Sequence, residues 1–135
     1  MIGDQPVPQG EGQRIMLVDD EVDILDLLGM FLSGNGYAVE TFTSSPRALA
    51  CLESQPDGFD IVLTDLMMPD LSGLELAKRI RQVRPDLPVV LITGHRRALD
   101  NYETLPGSVC EVLLKPFDLN DMAQSITRLL GRKSH

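Results

Sequence analysis

The feature that most restricts how this chain can fold is a repeated alternation. Short apolar runs that stop on polar residues are separated by stretches with a helical spacing of three to four. Ile15-Met16-Leu17-Val18 stops at Asp19-Asp20-Glu21, and the run from Phe59 through Val62-Leu63 stops at Asp65. Val89-Val90-Leu91-Ile92 stops at Thr93-Gly94, and the run from Val109 to Leu114 stops at Lys115-Pro116. A run apolar on both faces suits a parallel strand covered by helices on both sides. A further strand is expected over 38–43, where Val39 and Phe42 alternate with polar residues.

The intervening stretches read as helices. Val22, Leu25, Leu28 and Leu32 mark an inward face, ended by Gly34 and Gly36. Ser44-Ser45-Pro46 offers a cap followed by proline in the first turn, opening a helix filled by Ala48, Leu49, Cys51 and Leu52. Ser72 caps a third helix, with Leu74, Ala77 and Ile80 inward and Lys78, Arg79 and Arg81 outward. A short helix is expected over 96–103, with a turn at Pro106-Gly107. The last helix starts at Asp118 or Asn120, faces inward through Leu119, Met122, Ile126 and Leu129, and ends at Gly131. Strands and helices in alternation make right-handed βαβ units. The expected fold class is therefore α/β: a doubly wound (βα)5 three-layer sandwich around a parallel five-stranded sheet. Residues 1–13 are expected as a flexible leader or linker, 14–131 as one folded domain and 132–135 as a C-terminal tail.

Composition removes several classes of function. A net charge of −8 makes the chain a poor partner for nucleic acid or an anionic membrane surface. No apolar stretch approaches the ~20 residues of a membrane helix, and the N-terminus has no signal-peptide core. Aromatic residues are 4% of the chain, so the core must be aliphatic. Cys51 and Cys110 are far apart and lack a CxxC partner, so both are expected as reduced core residues in a reducing, cytoplasmic setting.

In doubly wound sheets, ligands bind beyond the C-terminal ends of the strands. That rule brings Asp19-Asp20, Asp65, Thr93-Gly94 and Lys115 to one edge. Carboxylates crowded together repel, and a hard divalent cation relieves them. Mg²⁺ takes a few carboxylates and keeps several waters, a demand that Asp19, Asp20 and Asp65 fit. A zinc set is missing, because His95 and His135 are the only histidines. Lys115 suits a phosphoryl oxygen, Thr93 offers a hydroxyl and Gly94 leaves room for a close approach. Charge neutralisation and positioning supply most of the catalysis of phosphoryl transfer. Asp65, between the metal side and the lysine side, is the expected nucleophile, forming an aspartyl phosphate.

The motifs Val18-Asp19-Asp20-Glu21, Thr64-Asp65-Leu66-Met67-Met68-Pro69 with Ser72-Gly73, Ile92-Thr93-Gly94 and Lys115-Pro116-Phe117 occur in this order between about Ile15 and Leu130. Together they resemble the receiver (CheY-like) domain of two-component response regulators. The resemblance implies a flavodoxin-like fold with strand order 2-1-3-4-5. It implies that Asp65 accepts a phosphoryl group from a histidine of a sensor histidine kinase or histidine phosphotransfer protein. Asp20 and Asp65 would bind Mg²⁺ directly, Asp19 through water or by sharing the ion, and Met67 through its backbone carbonyl. Thr93 and Lys115 would bind phosphoryl oxygens, and the Lys115–Pro116 bond would be cis. Such a domain is a signalling module that assists its own phosphorylation and dephosphorylation, not an enzyme in the ordinary sense.

The chain departs from the family at one position. An aromatic residue three before the lysine swings inward on phosphorylation in the family, and here that residue is Val112. The aromatic switch is therefore absent or replaced. Two positions that tune dephosphorylation in the family are Met67 and His95 here. Met67 cannot orient a water by hydrogen bonding, while His95 either does so or is an exposed loop residue.

The leader resembles the linker ahead of a receiver at the C-terminal end of a hybrid sensor histidine kinase. A stand-alone regulator fits nearly as well, and no DNA-binding output domain is expected within these 135 residues. A second apolar stripe, Ile24, Leu27 and Phe31, fits either broad burial or an exposed patch for a histidine-bearing helix. Two other functions stay open. One is a pseudo-receiver that binds partners without being phosphorylated. The other is a phosphohydrolase of the haloacid dehalogenase type, although that family requires Asp-x-Asp where this chain has adjacent Asp19-Asp20.

Overall fold

A computed structural model describes residues 9–94 and 109–133. The helix expected over 96–103, the Pro106-Gly107 turn, His95 and His135 lie outside the described residues. The elements are β1 (Arg14–Val18), α1 (Val22–Gly34), β2 (Ala38–Phe42), α2 (Ser45–Ser54), β3 (Ile61–Asp65), α3 (Gly73–Val83), β4 (Val89–Thr93), β5 (Val109–Leu114) and α4 (Leu119–Lys133). The strands form one sheet in the order β2-β1-β3-β4-β5, every pair parallel. This is the doubly wound α/β, flavodoxin-like fold with the expected strand order.

Alternation along the strands sends side chains into two apolar layers. Ile15, Leu17, Ile61, Leu63, Val90 and Ile92 meet Leu25, Leu28 and Leu32 of α1 and Met122, Ile126 and Leu129 of α4. On the other face Met16, Val18, Val62 and Val89 meet Ala48, Leu49 and Leu52 of α2 and Leu76, Ala77 and Ile80 of α3. β3 is buried at every position, which is why its sequence reads as a continuous apolar run up to Thr64. Both serine caps form: the Ser44 hydroxyl accepts from the Arg47 N–H at 3.4 Å, and the Ser72 hydroxyl from the Glu75 N–H at 3.2 Å.

Three details differ from the sequence reading. Val22 is not on the buried face of α1 but 57% exposed, because it opens the first turn at the edge of the sheet, ahead of the layer that covers Leu25. Gly131 does not end the last helix, which runs through it to Lys133. A glycine in helical conformation costs about 1 kcal/mol relative to alanine but does not break a helix held by packing. Cys51 is half-buried, not a core residue; its Sγ lies 3.9 Å from a Glu40 carboxylate oxygen and 3.6 Å from the Gln55 amide, and it is a free thiol. The second stripe of α1 divides: Ile24 and Phe31 pack against the core, while Leu27 is 57% exposed and its neighbour Met30 is 75% exposed. Among the described residues no helix is long and apolar enough to cross a membrane.

Candidate functional site

The C-terminal ends of β1, β3, β4 and β5 border an open cleft of about 390 Å³. It is lined by Asp20, Glu21, Asp65, Met67, Gly94 and Lys115. β3 is the middle strand, and Asp65 is its last residue, opposite Ile92 of β4. The Leu66 N–H donates to the Ile92 carbonyl at 3.0 Å, so pairing continues one residue past Asp65.

The backbone of Asp65 is pinned from two further sides. The Thr64 hydroxyl donates to the Asp65 carbonyl at 3.0 Å. Gly73, at the start of α3, stands directly behind the same carbonyl, where a Cβ would collide with it. The Gly73 N–H donates to the Leu66 carbonyl at 2.9 Å and closes the loop between β3 and α3. Within that loop Asp70 adopts a φ of 68°, a left-handed conformation that aspartate tolerates better than most residues.

Carboxylate oxygens of Asp19, Asp20 and Asp65 all lie within 4.8 Å of one another. Asp19 is 3% exposed and Asp65 7% exposed, whereas Asp20 faces solvent. Burial pushes the Asp19 carboxyl up from 3.8 to about 6; the Glu21 N–H bond (2.9 Å) pulls it back, and the Asp65 charge adds to the rise. Burial raises the Asp65 carboxyl as well, against the Lys115 charge and the N–H groups of Leu66 and Met67, with Asp20 adding repulsion. Both groups are held in a state that an added positive charge would relieve.

Lys115 follows β5, and its N–H donates to the Thr93 carbonyl at 2.9 Å. The bond from Lys115 to Pro116 is cis. The structure thus brings Asp19, Asp20, Asp65, Met67 and Lys115 to one place. Thr93 is at the tip of β4 but fully buried, and the cleft wall beside it is formed by Gly94. Val112 is half-buried and packs against the cluster of Leu66, Leu74 and Leu91.

Two residues of the site carry more than the sequence reading gave them. Glu21 lines the cleft as a fourth acid, and Gly73 fixes the backbone behind Asp65. A signal for Gly73 was present, because a glycine in the first turn of a helix is costly unless something approaches closely.

Residues 15–127 match the family model described as the response regulator receiver domain. The chain is 35% identical to the response regulator receiver protein CpdR of Brucella abortus, over 87% of this chain and 97% of that one. It is 31% identical to the response regulator SaeR of Staphylococcus epidermidis over 90% of this chain, but spans only 52% of that protein. The solved receiver domain protein of Clostridium thermocellum superposes with a TM-score of 0.84 at 30% identity, covering 90% of this chain and 97% of that one. The chain therefore belongs to the receiver domain family of two-component response regulators.

Proposed function

We propose that this domain is a phosphoacceptor, receiving a phosphoryl group on Asp65 from a phosphohistidine of a sensor histidine kinase or histidine phosphotransfer protein. The observation that carries the reading is the meeting of Asp65 with the Asp19–Asp20 pair and Lys115 in one open cleft. In the transfer, an Asp65 carboxylate oxygen forms a bond to phosphorus as the phosphorus–nitrogen bond of the donor breaks. The imidazole leaves with that electron pair and takes a proton from solvent. The Lys115 ammonium binds a phosphoryl oxygen and offsets its charge. A second phosphoryl contact falls to the Thr93 hydroxyl.

The oxygen-only donor set fits Mg²⁺. Asp19, Asp20 and Asp65 would hold it together with the Met67 backbone carbonyl, and the raised Asp19 and Asp65 carboxyls fit an ion that stabilises their charged forms. Bound there, the ion supplies positive charge to the phosphoryl oxygens. The unit that carries this function is residues 14–131, acting in the cytoplasm. The aromatic rotamer switch of the family is absent or replaced here, since Val112 is aliphatic and packs against the cluster of Leu66, Leu74 and Leu91.

The test is intact-mass measurement after incubation with acetyl phosphate and Mg²⁺. A single phosphoryl adduct, absent in Asp65→Asn and with EDTA, is the expected result. The absence of any adduct, with this donor or a phosphohistidine protein, would make the domain a pseudo-receiver. Rapid turnover of unrelated phosphate esters would make it a phosphohydrolase.

A further inference from the structure

We propose that residues 9–13 are a strap that couples the chain ahead of β1 to helix α4, with Tyr37 as the shared element. The strap lies against the turn between α1 and β2. The Gly10 N–H donates to the Asn35 carbonyl at 2.5 Å, the Gly12 N–H to the Gly36 carbonyl at 2.8 Å, and the Ala38 N–H to the Gln13 carbonyl at 2.9 Å. The Gln9 side-chain amide donates to the Asn35 side-chain oxygen at 3.1 Å.

The fit is too close for side chains at two positions. A Cβ at Gly10 would stand 2.5 Å from the Tyr37 ring, so the strap backbone lies directly on that ring. Gly36 has a φ of +93°, and a Cβ there would stand 2.5 Å from the Gly10 carbonyl oxygen. The left-handed backbone of Gly36 favours glycine by itself, but a linker with no fixed course would not require one at position 10.

Tyr37 reaches both ways. It is buried in the core cluster that also holds Leu32, Leu129 and Leu130, and its hydroxyl lies 3.2 Å from the Thr127 hydroxyl on α4. A shift of α4 at Thr127 therefore moves the surface on which Gly10 rests. The strap enters at the N-terminal end of β1, across the sheet from the Asp65 cleft. Coupling of this kind is reciprocal by linkage: whatever α4 does to the strap, the strap does to α4.

Amide hydrogen exchange on the whole 135-residue chain tests this. The Gly10, Gly12 and Ala38 amides are expected to be protected in the wild type. Tyr37→Phe and Thr127→Val, which remove the hydroxyl pair, should each speed exchange at Gly10 and Gly12 by about fivefold or more, the lower end of ordinary coupling. The Leu63 and Leu91 amides should not change. Gly10→Ala should speed exchange around Thr127 in return; if that variant does not fold, the Tyr37→Phe and Thr127→Val arms decide alone. Unprotected Gly10 and Gly12 amides in the wild type overturn the proposal. So does protection that neither hydroxyl deletion alters, and so does equal acceleration at Leu63 and Leu91, which marks a global loss of stability.

Discussion

At the C-terminal edge of the sheet, three carboxylates converge and the Asp19 carboxyl is pushed up to about 6. At the opposite edge, Gly10, Gly36 and Tyr37 close on one another with no charged group among the three. The first edge carries an electrostatic cost that a cation would relieve. The second is complete within the chain and depends only on steric fit and hydrogen bonds. Perturbations at the two edges should therefore act with opposite signs: removing charge from the cleft stabilises the metal-free fold, and adding a methyl group at the strap destabilises it.

The largest expected effect is on pH dependence. Burial pushes the Asp19 carboxyl up from the ordinary 3.8 to about 6, so its contribution is fully present below 3.8 and is lost as pH rises through 6. Without metal, Asp19 should add up to about 3 kcal/mol of stability as pH falls from 7 toward 4, and burial of Asp65 acts in the same direction. Urea midpoints in EDTA between pH 7 and 5 measure it, and Asp19→Asn should flatten the profile. Saturating Mg²⁺ should raise the midpoint at pH 7 and lose that effect below pH 6. A metal-free midpoint that falls steadily from pH 7 to 5 would remove the cleft's side of the comparison.

Gly73→Ala places a methyl group against the Asp65 carbonyl and should cost about 1–3 kcal/mol, read by the same denaturation. It should also slow adduct formation from acetyl phosphate, because the strain falls on the phosphoacceptor's own backbone. Gly36→Ala should cost about 1–2 kcal/mol for the left-handed backbone alone, with an unchanged rate of adduct formation. Loss of phosphorylation in Gly36→Ala would mean that the two edges are not independent. The smallest effect on stability is expected for Leu27→Ala with Met30→Ala, within about 0.5 kcal/mol, since both side chains are exposed. Transfer from a phosphohistidine protein should nevertheless slow in that variant while phosphorylation by acetyl phosphate does not, if this face docks the donor.

Much of the fold was legible because the sheet is buried on both sides. Runs such as Val89–Ile92 have no solvent face to interrupt them, and the residue that ends each run is at the same edge as the others. Hence Asp19, Asp20, Asp65 and Lys115 could be brought together from the sequence without a contact map. What was not legible depends on neighbours distant in sequence. That Thr93 is fully buried, with Gly94 at the cleft wall beside it, could not be read from the sequence. Cys51 lies among apolar residues in sequence, yet the α2 turn it occupies faces Glu40 on the edge strand β2. Helical spacing counted Val22 as inward because periodicity says nothing about where the covering layer begins. Gly10 read as linker composition, and only the ring of Tyr37 explains why it is glycine.

The central claim is that the acids of the cleft serve one phosphoacceptor, Asp65. The most direct measurement is residue-level mapping of the adduct formed with acetyl phosphate and Mg²⁺, trapped by borohydride reduction of the acyl phosphate and read by peptide mass spectrometry. Reduction at Asp65 alone is the expected result. Label at Asp19, Asp20 or any other residue in the unmodified chain, or no trapped product at all, would contradict it.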